Sequence, residues 1–455
     1  MHSALTDHER LSAWRRARAG ETPLIVGTRS AVFTPLAAPG LIVVDEEHDP
    51  SFKQQEGLRY SARDLAIARA NRAGVPVVLG SATPTLEMQK HCLDDNYTHL
   101  VLPERAGGAE APVLSIVDTS RFTADEGLSE PVRAAIERQL ADGGQVLLFL
   151  NRRGFAPTLI CTACGHVAGC RRCDARLTVH AAASELRCHH CGASRLLDTA
   201  CEECGSSVRP LGAGTERLED TLARAFPGQS VMRIDSDSTA RKGAMDEALA
   251  AATAGTADIL VGTQMLSKGH HFPRLTLVAV VNADQGLFGT DFRSDERLAQ
   301  SIVQVAGRAG REQKRGEVLI QTAFPNHPFW RRLIEDGYAG VSAEALAERA
   351  ATQWPPYSRL ALLRASAHQR ADAHAFLVAA RRHAERAGGR DVRVLGPVDA
   401  PMARKAGRHR ARLLLQSGQR QALHALLREL RPLLEGLPAA RKVRWSVDVD
   451  PLDLY

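Results

Sequence analysis

Eight of the nine cysteines in the 455-residue chain lie between Cys161 and Cys204, arranged as four Cys-x-x-Cys pairs. Two thiolates at this spacing can grip one metal from a tight turn, and two such pairs complete a tetrahedral zinc site. Four pairs therefore predict two Zn²⁺ ions in closed, all-sulfur shells that serve structure rather than catalysis. A disulfide framework needs an oxidising compartment, for which nothing else in the sequence argues. Iron–sulfur ligation usually spreads its cysteines differently. Pairing neighbouring knuckles leaves loops of five and nine residues, whereas nesting gives the inner site a loop of fourteen, close to the ribbon spacing of about 15–20. The expected sets are Cys161, Cys164, Cys201 and Cys204 on one ion, and Cys170, Cys173, Cys188 and Cys191 on the other. His166, His189 and His190 lie in or beside knuckles and are expected as solvated neighbours.

A second group of chemistry-bearing residues is polar and sits in loops. Asp45-Glu46-Glu47-His48 follows an apolar run. An Asp there can hold Mg²⁺ through water, and the next Glu can polarise an attacking water; four such groups in a loop can equally be solvated. Gly80-Ser81-Ala82-Thr83 and Gly262-Thr263-Gln264 offer small hydroxyls. Gln304-Val305-Ala306-Gly307-Arg308-Ala309-Gly310-Arg311 supplies two arginines three apart, predicted on one helix face. Such arginines neutralise charge on a transferring γ-phosphate, a role worth about 10³–10⁵ in rate. The loops together predict two facing α/β lobes with nucleotide between them.

The elements that must position these loops follow from hydrophobic patterning. Leu24–Gly27, Leu41–Val44 and Val77–Leu79 are short apolar runs of the kind buried on both faces of a parallel sheet. The alanine-rich stretch Ser61–Ala73 is the predicted crossover helix. Ligands of open parallel sheets bind at the carboxyl ends of strands, where the polar loops fall. A second α/β pattern predicts strand Gln145–Leu150, ending in Asn151-Arg152-Arg153-Gly154. It resumes after the cysteines with helix 215–225, strand 230–234, helix 241–253 and strand 258–261. Strand 277–281, a helix near 298–304 and strand 317–322 complete it, so the cysteine module is expected as an insertion. After Trp354-Pro355-Pro356 the order becomes β-α-β-β-α-β, a split βαβ sandwich. There Arg404–Arg410 is expected as a basic loop, solvated or touching phosphate.

Bulk properties exclude some classes. The first twenty residues lack the apolar core of a signal peptide, and no apolar run reaches the roughly eighteen residues of a membrane helix. The formal charge of +6 suits a polyanionic partner without identifying one. Reduced cysteines place the chain in a cytoplasm. Cys92 is expected as a buried small hydrophobe on a helix.

These motifs, taken with the double cysteine module between them, resemble those of the replication-restart DNA helicases, the primosomal protein N-prime family of superfamily two. The resemblance runs over essentially the whole chain, from His2-Ser3 to Asp448-Val449-Asp450-Pro451. It includes Gly27-Thr28-Arg29-Ser30-Ala31, Gly262-Thr263-Gln264-Met265 and Lys268-Gly269-His270. It implies an α/β chain with two RecA-like helicase lobes, the first incomplete, a double zinc-binding insertion and a carboxy-terminal α+β split βαβ domain. The implied boundaries are 1–115 for the partial first lobe, 116–155 with 209–325 for the second, 156–208 for the binuclear zinc module and 326–455 for a ferredoxin-like DNA- or partner-binding domain. By the same resemblance Asp45 holds Mg²⁺ and Glu46 is the water-activating base. Arg308 and Arg311 meet the γ-phosphate, and Gln304, Gly262 and Thr263 bind nucleotide. His48, Ser81 and Thr83 couple hydrolysis to DNA, with Phe52, Tyr60 and Lys268 on the DNA side; aromatics there can stack on single-stranded bases.

The implied activity is that of an ATP-dependent 3′→5′ DNA helicase that recognises stalled or recombined forks and initiates primosome assembly in the bacterial cytoplasm, associated with the nucleoid. Implied partners are forked or single-stranded DNA, primosome and replicative-helicase loading proteins and single-stranded DNA-binding protein. ATP with Mg²⁺ joins the two structural zincs as cofactor. Two departures stand out. His271 follows Lys-Gly-His where relatives usually carry Asp, and no G-x-x-x-x-G-K-[ST] loop occurs in the sequence. The expectation is a truncated helicase, with autonomous ATP hydrolysis in doubt. The alternative is a non-hydrolysing, zinc-dependent DNA-binding or primosome scaffold.

Overall fold

The computed structural model describes residues 2, 5–104, 110–122, 127–150, 158–161, 163–164, 166–180, 184–188, 191–197, 199–211, 215–235, 238–239, 241, 243–263, 266, 272–289, 291–310, 315–387 and 390–454. They form two compact units, residues 1–98 with 448–454, and residues 99–447.

The first unit is built on a βαβ element. Strands Ile42–Val44 and Val77–Leu79 pair in parallel, joined through helix Ala62–Ala73. Ser61 caps that helix by accepting from Asp64 N, and Gly74 ends it at φ 66°, the left-handed stop that glycine adopts without steric cost. The buried face of the helix is Ala62, Ala66 and Ala70. The expected strand at Leu24–Gly27 does not form. An apolar run becomes a strand only with a lateral hydrogen-bonding partner, and the sheet here has two strands. Leu24, Val26, Leu41 and Val43 stay exposed. Residues 448–454 belong with this unit. Lys53 Nζ, almost fully buried, donates to Val449 O at 2.5 Å and stands 3.1 Å from the Asp448 carboxylate. Helix Leu86–Leu93 carries Cys92, which is half-buried rather than buried.

The second unit contains three sheets. The largest has six strands, all paired in parallel, in the order Val231–Ile234, Ile259–Gly262, Gln145–Leu150, Leu275–Val281, Glu317–Thr322 and Val113–Asp118. Every residue of Gln145–Leu150 and Leu275–Val281 is buried, as continuous apolar runs in a doubly covered sheet require. Within the first of these strands, Gln145 Nε2 donates to Ala252 O and Ala257 O at 3.1 and 2.7 Å. Alternate side chains feed two cores, one around Leu147, Phe149 and Phe272, the other around Val146, Leu148 and Ile136.

Two of the implied domain edges fall inside strands. Strand Val113–Asp118 runs across 115/116 and joins the six-stranded sheet. Strand Val208–Leu211 runs across 208/209 and pairs with Thr158–Cys161 in the cysteine module. Helices Pro328–Glu335 and Gly337–Thr352 lie beyond 325, yet Trp330, Leu333 and Val341 pack in a core of the six-stranded sheet. Arg349 also reaches Glu296 of the neighbouring helix at 2.8 Å, a buried ion pair.

The cysteine module leaves the large sheet after Leu150 and the chain returns at helix Thr215–Ala225. It therefore hangs from the carboxyl end of a central strand, the edge where such sheets place ligands. Its five-stranded antiparallel sheet runs Ser194–Leu196, Glu185–Arg187, Thr178–His180, Thr158–Cys161, Val208–Leu211. The third sheet has the order Arg393–Lys405, Arg408–Ser417, Arg359–Ala367, Arg444–Val449. Helices Arg370–Ala387 and Arg420–Gly436 lie between these strands in sequence, giving the split βαβ arrangement. The basic stretch Arg404–Arg410 is a correction to the expected loop. Both strands continue through it and turn at Ala406 and Gly407, with φ 51° and 76°, the two positive values of a tight hairpin turn.

Candidate functional site

In the first unit the loops after the two parallel strands meet. Asp45 Oδ1 accepts from the Glu46 backbone N–H at 2.9 Å, and Glu46 stands at φ 50°, a strained conformation for a residue with a side chain. His48 Nδ1 lies 2.7 Å from Ser81 Oγ and 3.6 Å from a Glu46 carboxylate oxygen. Ser81 Oγ also accepts from the backbone N–H of Thr83, whose side chain is fully buried. Asp45, Glu46, His48, Ser81 and Thr83 are thus brought together, and a change in the acidic loop reaches the hydroxyl loop through the His48–Ser81 bond.

Glu47 has a different place, which its acidic neighbours concealed. It is buried; one carboxylate oxygen accepts from Thr85 N at 2.6 Å, the other from Thr85 Oγ1 at 3.2 Å and Arg63 Nη1 at 2.9 Å. Burial pushes its carboxyl above the usual carboxylate range, against the opposing pull of Arg63 and Thr85. Glu47 N also donates to Gly80 O at 2.9 Å. Glu47 therefore ties the acidic loop to the crossover helix and to the start of helix Leu86–Leu93, holding Asp45 and Glu46 at the strand edge.

Residues Phe52 and Tyr60 lie on a loop that is pinned rather than free. Arg29 Nη1 donates to Ser51 O and Lys53 O at 2.9 and 3.2 Å. The Tyr60 ring stands edge-on to Phe33 at 4.8 Å. Both aromatics are half-buried, which leaves part of each ring accessible.

In the second unit, Gly262 ends a strand and Thr263 follows it, buried. A Cβ at Gly262 would meet Leu266 Cδ1 at 2.4 Å and Ile234 O at 2.8 Å, so close packing already explains this glycine. Gln304 lies in the last turn of helix Ser294–Ala306. That helix stops two residues before Arg308, which sits in the following turn rather than on a helix. Gly307 takes the C-cap, and Gly310 adopts φ 73°, which breaks the helical path. Arg311, Lys268 and the stretches 151–154 and 264–265 fall outside the described residues. The Arg308 turn is braced from behind, since a Cβ at Gly316 would lie 2.5 Å from the Ala309 carbonyl carbon. Gly316→Ala is therefore expected to destabilise the second unit by about 1–3 kcal/mol, read as a lowered midpoint of thermal unfolding.

The cysteines group as the nested pairing predicts: Cys161, Cys164, Cys201, Cys204 and Cys170, Cys173, Cys188, Cys191, each with all sulfurs within 4.8 Å of one another. Sulfur separations are 3.5 Å for Cys161–Cys204, 3.7 Å for Cys164–Cys201 and 3.7 Å for Cys170–Cys191. A zinc tetrahedron with bonds near 2.3 Å has edges of about 3.8 Å, so the donor set fits zinc. Backbone N–H groups of Ala163 and Cys164 point to Cys161 Sγ, that of Arg172 to Cys170 Sγ and that of Glu203 to Cys201 Sγ, the usual support for metal-bound thiolate. Burial pushes the Cys173 thiol up to about 12, while Ser206 draws Cys204 down to about 6. His166 stands outside both clusters, and His189 and His190 lie outside the described residues.

The parallel sheet with its polar strand ends, the double four-cysteine insertion and the split βαβ domain define a helicase-type protein with an accessory metal module. Residues 196–313 match the helicase conserved C-terminal domain, 170–195 the PriA DNA helicase Cys-rich region domain and 350–452 the primosomal protein N C-terminal domain. The chain is 46% identical over 455 residues to the Replication restart protein PriA of Haemophilus influenzae, covering 100% of this chain and 62% of that protein. It is 38% identical over 456 residues to that of Bacillus subtilis, covering 99% and 56%. With the Treponema pallidum relative the identity is 36% over 459 residues, covering 100% and 68%. The chain belongs to the PriA replication restart protein family. It spans 62% and 56% of the length of the first two of these relatives. Among the described residues, no helix is long and apolar enough to cross a membrane.

Proposed function

We propose that this chain forms the zinc-bearing motor portion of an ATP-driven 3′→5′ DNA helicase that recognises stalled or recombined replication forks and initiates primosome assembly. The observation that carries this reading is the junction of Asp45, Glu46, His48 and Ser81 in a PriA-family chain that also holds two four-cysteine clusters. In it, Asp45 holds the Mg²⁺ of ATP, Glu46 activates the attacking water, and Arg308 and Arg311 neutralise the γ-phosphate. Gln304, Gly262 and Thr263 contact nucleotide. His48, Ser81 and Thr83 relay hydrolysis toward DNA, which Phe52, Tyr60 and Lys268 contact. Two zinc ions brace the insertion. The partners are forked or single-stranded DNA, single-stranded DNA-binding protein and the proteins that load the replicative helicase, at the nucleoid of a bacterial cytoplasm.

Hydrolysis also needs a phosphate-cradling G-x-x-x-x-G-K-[ST] loop, which these 455 residues do not contain. The test is to join the chain to the amino-terminal portion of the Haemophilus influenzae relative. The fusion is expected to hydrolyse ATP on forked DNA at least tenfold faster than the chain alone. A folded, zinc-loaded fusion that binds forks without hydrolysis would overturn the motor assignment and identify a scaffold.

A further inference from the structure

The two cysteine clusters differ in what surrounds them. Among the described residues, the N–H donors of the outer site come from the cysteine module itself, and Cys164 and Cys204 are exposed. The inner site has an additional donor from the carboxy-terminal domain, 233 residues away in sequence: Ala406 N–H points to Cys173 Sγ at 3.1 Å. The same hairpin tip makes further contacts with this knuckle. Gly407 N donates to Arg172 O at 2.7 Å, Asp174 N donates to Arg404 O at 2.9 Å, and Arg404 Nε lies 3.6 Å from the Asp174 carboxylate. Met402 packs on the small core formed by Leu159, Leu177, Leu186 and the inner cysteines. The positive φ values at Ala406 and Gly407 aim successive N–H groups at the knuckle, the concave arrangement that cradles negative charge.

We propose that the inner metal centre is completed by the carboxy-terminal domain: Ala406 N–H is a second-sphere donor to the Cys173 thiolate, and zinc occupancy and hairpin docking stabilise one another. The physical link is reciprocal. An N–H aimed at sulfur stabilises the metal-bound thiolate, and loss of such a partner typically costs about 10–100-fold in metal affinity. By linkage, the metal must favour the docked hairpin by the same factor. The outer centre has no such dependence. This inference rests on the clusters holding zinc, and its test keeps the two apart.

The full-length chain is first assayed for zinc; a content other than two per chain counts against the zinc assignment itself. Zinc loss to excess chelator is then followed with a colorimetric dye, using Cys201→Ser to identify the inner-site phase. Ala406→Pro fixes φ near −65° and deletes the N–H. It is expected to speed inner-site release about tenfold and leave the outer phase within twofold. Ala406→Gly keeps both the N–H and the turn and should restore slow release. Unchanged inner-site release in Ala406→Pro overturns the proposal. Should that variant disturb the carboxy-terminal sheet, the reverse arm decides. Cys188→Ser is expected to raise hydrogen exchange at 402–409 while 359–367 stays protected, and Cys201→Ser is expected to leave 402–409 unchanged. Equal protection of the hairpin in all three chains overturns it.

Discussion

Glu46→Gln and Glu47→Ala should part company completely in a hydrolysis-competent fusion. Glu46→Gln removes the proposed base but keeps shape and charge-independent contacts, so DNA-dependent ATP hydrolysis is expected to fall about 10²–10⁴-fold while thermal stability is unchanged. The Glu46 carboxylate lies at the strand edge, part-exposed and 3.6 Å from His48. Glu47 is the opposite case. Its two oxygens take three bonds from Thr85 and Arg63 in a buried position. Glu47→Ala leaves Arg63 with Asp64 and the Thr85 hydroxyl but without its buried carboxylate, and breaking a buried pair costs about 3–5 kcal/mol. Steady-state ATPase rates and thermal melts on the same preparations check both statements. A Glu46→Gln enzyme retaining more than a tenth of the activity would remove Glu46 from the role of base.

Removing zinc should have the larger structural effect. The core of the cysteine module consists of Leu159, Ala168, Leu177, Val179 and Leu186 together with Cys170, Cys173 and Cys188. Three of these eight residues are cysteines, and so small an apolar set cannot offset the ordering of more than forty residues. Structural zinc contributes an apparent 10–16 kcal/mol in finger peptides, roughly. Chelation is therefore expected to abolish amide protection across 158–211 while Leu275–Val281, buried throughout, keeps its own. Cys170→Ser should reproduce the loss at the inner site. In the fusion it should impair fork remodelling more than hydrolysis. A metal-free chain that stays protected across 158–211 would dismiss the module's dependence on metal.

What the sequence made legible was whatever depends on local pattern. Glu317–Thr322 and Arg359–Ala367 were readable to the residue, since a buried strand must be apolar along its length or alternate strictly. Cysteine spacing carried the nested pairing because loop length limits which knuckles can share a tetrahedron. Leu24–Gly27 misled because composition does not say whether a lateral partner is present. The basic run Arg404–Arg410 looked like a loop because its charges hide two continuing strands and a turn engaged with Cys173. Glu46 and Glu47 are chemically identical neighbours; only burial separates the candidate base from the brace. Arg63 and Thr85 carried no motif and became visible only through that brace.

Lys53 and Val449 are 396 positions apart and bonded to each other within one compact unit. A ribosome adding about 5–20 residues each second needs roughly 20–80 s to cover that distance. During vectorial synthesis the acidic and hydroxyl loops exist long before the segment that closes on Lys53. The first unit is therefore begun 396 residues before the contact that closes it is made. Until Val449 emerges, Lys53 lacks the carbonyl that receives its ammonium in the finished unit, and the timing of that closure governs how much chain reaches the folded state.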